Sequence, residues 1–264
     1  MPNFAIVIGI DSYANPAWNL DAAVPDALAF LEWAHGAGGV PADATHTRLL
    51  LSTNRTDVTT FPFVAATNEN IVKTIIEFQD GAGKDGDRLY FYYAGHGVSN
   101  PGTARGGPPE PVIIPADVKD MRVNAGLLIP FSAIITALSG SLPTEHLFFI
   151  DACRDFALEE FTSTISPASI RWQPPLVEGG QRAAQFVLYA TSPGQRAYET
   201  GRGAFGKALV AGLKGEGAAK TWLQPPPRYD VGFNKLAQFV RGRVEAEIRR
   251  MAGGNAERYI QVPQ

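Results

Sequence analysis

The chain has 264 residues, of which 45% are apolar, and 23 basic against 26 acidic side chains give a net charge of −3. That composition supplies a sizeable core and excludes a disordered chain, while the lack of basic excess speaks against general nucleic-acid binding, which needs a cationic footprint. One cysteine, Cys153, excludes an internal disulfide and a cysteine-built zinc site, and four scattered histidines show no metal-ligand spacing, so no metal and no cofactor are expected.

In chain order, Phe4 to Ile10 is a continuous β-branched apolar run and predicts a buried parallel strand. Leu20 to His35 has helical spacing through Val24, Leu28 and Leu31, with Pro25 in the first turn and Gly36 as a stop. Thr47 to Leu51 is a short strand. Asn68 to Phe78 is a helix capped by Thr67 or Asn68, with Ile71, Val72, Ile75 and Ile76 as its apolar face. Arg88 to Tyr93 is a β-prone run that ends in Ala94-Gly95-His96-Gly97. Residues 99–111 read as a Gly/Pro loop, followed by a short strand at Val112 to Ile114. Phe131 to Leu138 is a short helix. Leu147 to Ile150 is a buried strand ending in Asp151-Ala152-Cys153, and residues 156–182 form a long connection of the kind that is often functional. Phe186 to Ala190 is a further strand, Phe205 to Leu213 a helix, Lys214 to Gln224 a surface excursion, and Phe233 to Met251 a last amphipathic helix. Strands alternating with helices predict a three-layer α/β sandwich around a mainly parallel sheet of about six strands. No apolar run approaches the roughly 18 residues of a membrane span, and the N-terminus lacks a basic region and a cleavable apolar segment. A reducing cytoplasm, away from membranes, is the expected location.

Sites in parallel sheets lie beyond the carboxyl ends of the strands. Two predicted strands end there in reactive groups, His96 and Cys153. An imidazole beside a thiol takes its proton, and the thiolate attacks a carbonyl carbon. The imidazolium then protonates the leaving amine, and the Gly97 N–H is placed to stabilise the oxyanion. His35 sits near a helix end, and His46 and His146 precede strands and are expected to be exposed.

Tyr93-Ala94-Gly95-His96-Gly97 resembles the His motif of caspase-like cysteine peptidases, and Asp151-Ala152-Cys153-Arg154-Asp155 resembles their Cys motif. Phe4 to Ile10 resembles their first strand, and Ala190-Thr191-Ser192-Pro193-Gly194 and Gly203-Ala204-Phe205 resemble the opening of their small-subunit half. The resemblance covers nearly the whole chain. It implies the caspase-haemoglobinase fold in a single domain over 1–264. The large-subunit-like half is 1–155, the connecting loop 156–182 and the small-subunit-like half 183–264. It implies a His96–Cys153 dyad that hydrolyses peptide bonds, with an oxyanion site at Gly97 and the Cys153 backbone.

Caspases that cut after aspartate carry a glutamine and an arginine where this chain has Asp151 and Glu199, so an acidic substrate would meet like charges. Metacaspases and their bacterial relatives cut after arginine or lysine and use the aspartate two before the cysteine with another early in the chain. Leu20 to Asp26 resembles that early segment. The resemblance thus implies a pocket of Asp26 and Asp151, assisted by Glu199, for a guanidinium or ammonium on protein or peptide substrates. Ala94 departs from the serine that metacaspases often have before the Gly-His pair. Leu127 to Ser132 lacks the paired carboxylates of calcium-dependent metacaspases, and Asp117 alone makes a poor calcium site, so no calcium requirement is expected. Arg171 and Arg182 lie in the loop where family members are processed, and are the candidate self-cleavage points. A regulatory or sensor partner and a role in bacterial cell death or defence are implied by the family alone. The rival readings are a catalytically silent interaction module and a cysteine hydrolase of small amides or esters.

Overall fold

The structure is a computed structural model and describes residues 1–56, 58–100, 110–153, 182–192, 199–200, 202–252 and 261–264. The elements are β1 (Phe4–Ile10), α1 (Ala23–His35), β2 (Thr47–Ser52), β3 (Val64–Ala65), α2 (Asn68–Gln79), β4 (Leu89–Ala94), β5 (Gly97–Asn100), β6 (Glu110–Ile113), β7 (Ile129–Pro130), α3 (Phe131–Leu138), β8 (Glu145–Asp151), β9 (Ala184–Tyr189), β10 (Glu199–Thr200), β11 (Arg202–Gly203), α4 (Ala204–Leu213), β12 (Thr221–Leu223), β13 (Arg228–Asp230) and α5 (Phe233–Ala252). Six strands form one sheet in the order β3-β2-β1-β4-β8-β9, with every neighbouring pair parallel. Alternation along β1 sends Phe4, Ile6, Ile8 and Ile10 into the core under α2 and α3, and Ala5 and Val7 into the core under α1, α4 and α5. Both faces are therefore covered, as a continuous apolar strand requires, and the expected three-layer α/β sandwich is the fold.

The start of α1 is anchored by the strand before it. Ala22 supplies no capping side chain, and the carboxylate of Asp11, at the end of β1, accepts the Val24 N–H at 3.1 Å. The helix begins three residues later than its periodicity predicts, because the Leu20 N–H bonds back to the Asp11 carbonyl at 2.8 Å and closes a loop over the strand end. Its buried stripe is Val24, Ala27, Phe30, Leu31 and Ala34, with the expected Leu28 only half-buried.

Other sequence expectations are corrected. The buried face of α2 is Ile71, Thr74, Ile75 and Phe78, so Ile76 points outward, 42% exposed. Within 99–111, Ser99 to Asn100 belong to β5 and Glu110 to Pro111 to β6, which pairs antiparallel with β5 and β7; residues 101–109 lie outside the described set. Pairing at this small sheet outweighs the poor strand propensity of Gly and Pro. The excursion after α4 extends into a hairpin, β12–β13, on which Trp222 and Tyr229 meet at 4.8 Å between ring centroids. The long connection falls outside the described residues apart from Arg182. Among the described residues, no helix is long and apolar enough to cross a membrane.

His146 is wholly buried at the start of β8, against Phe148 and with its Nδ1 3.3 Å from the Gln185 amide nitrogen. His46 is half-buried, its ring 4.9 Å from that of Phe4. Burial pushes the His146 imidazole down to about 4, opposed in part by the Pro143 and Ser141 backbone. The unfolded chain binds this proton near its ordinary value of about 6.5. The neutral ring therefore contributes its full stability above 6.5, and that contribution is lost as pH falls from there towards 4. Unfolding by urea should show about 2 kcal/mol less stability from this group at pH 5 than at pH 7. His146→Gln should flatten that part of the pH dependence.

Candidate active site

β4 and β8 are central neighbours in register, with Ala94 opposite Asp151. His96 and Cys153 each follow two residues later, so both leave the sheet at the same level on adjacent strands. The Gly95 N–H donates to the Asp151 carbonyl at 3.2 Å and carries the alignment past the strand ends. Gly97 then lies against the backbone of Cys153. A Cβ there would stand 2.9 Å from the Cys153 carbonyl oxygen and 2.9 Å from the Ala152 Cβ, so only glycine fits. Cys153 itself is half-buried.

His96 is held through both its ring and its backbone. Its Nε2 lies 2.7 Å from the Trp18 carbonyl. A carbonyl only accepts, so Nε2 carries the hydrogen and the lone pair of the neutral ring is left on Nδ1. The His96 N–H donates to the Tyr13 hydroxyl at 2.7 Å, and the Tyr13 ring packs 4.9 Å from the imidazole. The Tyr93 hydroxyl donates to the His96 carbonyl at 2.6 Å. Burial lowers the His96 pKa from its ordinary value, with the Trp18 contact opposing. Burial also raises the Tyr93 hydroxyl far above its ordinary value, and charge at Cys153 pushes it the same way, so the thiol lies within electrostatic reach.

The sequence-predicted acidic residues also converge. Asp26, in the first turn of α1, is 1% exposed and accepts the Gly203 N–H at 2.6 Å. Asp151, at the end of β8, is half-buried, with its Oδ2 3.4 Å from the Tyr92 hydroxyl. A Cβ at Gly203 would stand 2.8 Å from Asp26 Oδ2 and 3.2 Å from Asp151 Oδ2. Glu199 is placed by its backbone, which pairs with Gly203 across β10–β11; its side chain is outside the described set. Arg182 is exposed just before β9, and Arg171 lies outside the described residues. Asp117 accepts the Asn68 N–H at 2.9 Å and so caps α2. Among the described residues, no three His, Cys, Asp or Glu side chains group as a metal site.

Sequence reasoning misses Trp18, Tyr13 and the spacing role of Gly203. A backbone carbonyl leaves no side-chain signature, and nothing in the sequence marks a tyrosine that bonds a main chain 83 residues away. Tyr13→Phe removes the acceptor of a buried N–H and should cost about 1–3 kcal/mol, read from urea unfolding at neutral pH.

The caspase domain family matches residues 2–264. A probable protease of a Desulfuromonadales bacterium is 36% identical over 255 residues, covering 92% of this chain and 30% of the relative, so the chain spans less than a third of that protein's length. The crystal structure of caspase-1 from Spodoptera frugiperda superposes with a TM-score of 0.57 at 16% identity, covering 99% of this chain and 84% of that one. That last likeness is one of fold.

Proposed function

The chain belongs to the caspase-domain family of peptidases, and on that premise we propose that it is a cysteine endopeptidase that cuts after arginine or lysine through His96 and Cys153. The observation that carries the reading is the shared register of β4 and β8, with the His96 Nε2 already engaged by the Trp18 carbonyl. The reaction then runs from Nδ1. The Cys153 proton passes to Nδ1, and the thiolate forms a bond to the scissile carbonyl carbon. The oxyanion of the tetrahedral adduct is met by the Gly97 and Cys153 backbone N–H groups. The adduct collapses as the imidazolium protonates the departing amine, leaving a thioester. Neutral His96 next takes a proton from water, whose oxygen attacks the thioester and releases the carboxylic acid and the thiol.

Specificity follows from charge. Asp151 is half-buried at the end of β8, two residues before Cys153, and it and Asp26 both lie against Gly203. Their pairing favours a cationic side chain, and a guanidinium most, since it meets two carboxylates through a planar set of donors. Glu199 is a further acidic position beside this pocket.

Fluorogenic peptides with arginine, lysine or aspartate before the scissile bond test the reading directly. Arginine and lysine peptides should be cleaved, and Cys153→Ala should abolish the activity. Asp151→Asn should lower kcat/KM by about 100-fold, since it strips the charge from one partner of a desolvated pair. Cleavage after aspartate alone would sink the pocket. The acid limb of kcat/KM should have its midpoint below 6.5, because the base stays neutral to lower pH than an exposed histidine.

Processing at Arg182 has a geometric consequence. Arg182 precedes β9, whose start pairs with the start of β8, whereas Cys153 lies beyond the far end of β8. Seven residues at about 3.3 Å each separate the two by roughly 20 Å. A cut at Arg182 is therefore made by a second molecule, and its initial rate should rise with the square of the enzyme concentration. A first-order rate would contradict this.

A further inference from the structure

β8 lies between β4 and β9, and its carbonyls go on alternating between those neighbours past the end of the strand. On the β9 side, the Ile150 carbonyl accepts the Ala190 N–H at 2.9 Å, and on the β4 side the Asp151 carbonyl accepts the Gly95 N–H at 3.2 Å. The Ala152 carbonyl turns back to the β9 side, where it accepts the Thr191 hydroxyl at 3.2 Å. A side chain thus continues the ladder by one residue, at the last peptide before Cys153. Thr191 is wholly buried and Ala152 is 4% exposed, so this bond is shielded from water. The segment around Thr191 is tied in turn from its outer side. The Ser192 hydroxyl donates to the Val262 carbonyl at 3.0 Å, and the Gln261 amide donates to the Ala190 carbonyl at 3.2 Å. Tyr189 and Gln264 exchange both backbone bonds, at 2.7 and 3.1 Å.

We infer that Thr191 is a positioning residue: its hydroxyl fixes the peptide plane that carries the Cys153 N–H. The peptide between Ala152 and Cys153 is trans, so its C=O and N–H point in opposite directions. A carbonyl held towards β9 directs the N–H towards β4, the side on which Gly97 lies against Cys153. The inference rests on the reaction proposed above, in which that N–H meets the oxyanion, and adds the group that aims it. The same bond strengthens the donor, since hydrogen bonds in a chain polarise one another.

The test compares wild type, Thr191→Val and Thr191→Ser on whichever of the three fluorogenic peptides wild type cleaves best. Valine keeps the shape of threonine and lacks the hydroxyl, and serine keeps the hydroxyl. Thr191→Val should lower kcat by about tenfold or more with KM little changed, and Thr191→Ser should stay within about threefold of wild type. Alkylation of Cys153 by iodoacetamide displaces iodide and builds no oxyanion, so its rate should be the same in all three. An unchanged kcat in Thr191→Val overturns the inference. So does a loss of alkylation in step with kcat, which marks a displaced thiol, or a loss in Thr191→Ser equal to that in Thr191→Val. Should Thr191→Val fail to fold, Thr191→Ser decides: turnover within about threefold of wild type supports the role, and a larger loss overturns it. Failure of the underlying reading looks different, because wild type would then cleave none of the peptides, or Cys153→Ala would cleave them as well as wild type.

Discussion

Six residue pairs, from Leu89 opposite His146 to Ala94 opposite Asp151, hold β4 against β8. Side chains alternate faces with a period of two, so a slip of one residue between these strands would turn every buried group on β8 to the wrong layer. Phe149 belongs to the core under α1, and Phe148 and Ile150 to the core under α2 and α3. Those two cores fix the register far more strongly than the site could. His96 and Cys153 inherit their alignment from aromatic packing deep in the sheet.

The acidic pair is positioned in the same indirect way. Asp26 is a charged group placed where the start of α1 meets the start of α4, and the end of β1 anchors that start through Asp11. A carboxylate at a helix N-terminus is electrostatically favoured. Burial acts on His96 in the opposite sense. It favours the neutral imidazole, while the Trp18 carbonyl 2.7 Å from Nε2 fixes the orientation of the ring. Asp11 shows the cost of the arrangement, since burial raises its pKa even as the Val24 N–H and Arg55 hold it down.

Much of this is legible in the residues. β1 and α3 have the bounds their hydrophobic runs predict, because β1 is apolar throughout, α3 is apolar but for Ser132 and Thr136, and both are sharply ended. His96 and Cys153 can be placed because each follows a strand end, and strand ends are readable. The face of α2 is harder to read, since Ile76 is apolar but faces water, while Thr74 is polar and buried with its hydroxyl satisfied by the Asn70 carbonyl. β5 escapes notice because its partner β6 contains Pro111, and only tertiary pairing makes strands of such a sequence. His146 reads as exposed because a lone histidine before a strand carries no sign of the Gln185 side chain that meets it. Contacts made by main-chain atoms are invisible in principle.

That invisibility has an evolutionary side. The atom that orients His96 is the carbonyl oxygen of Trp18, and every amino acid supplies one. Point substitution at position 18 changes the side chain and leaves the orienting oxygen in the chain. What would dislodge it is a change in the length of the loop from Ser12 to Leu20, whose ends are tied by the bond from the Leu20 N–H to the Asp11 carbonyl. This part of the site is therefore tolerant of substitution and intolerant of insertion or deletion. Drift among relatives should accordingly show in the letters of this loop and not in its length.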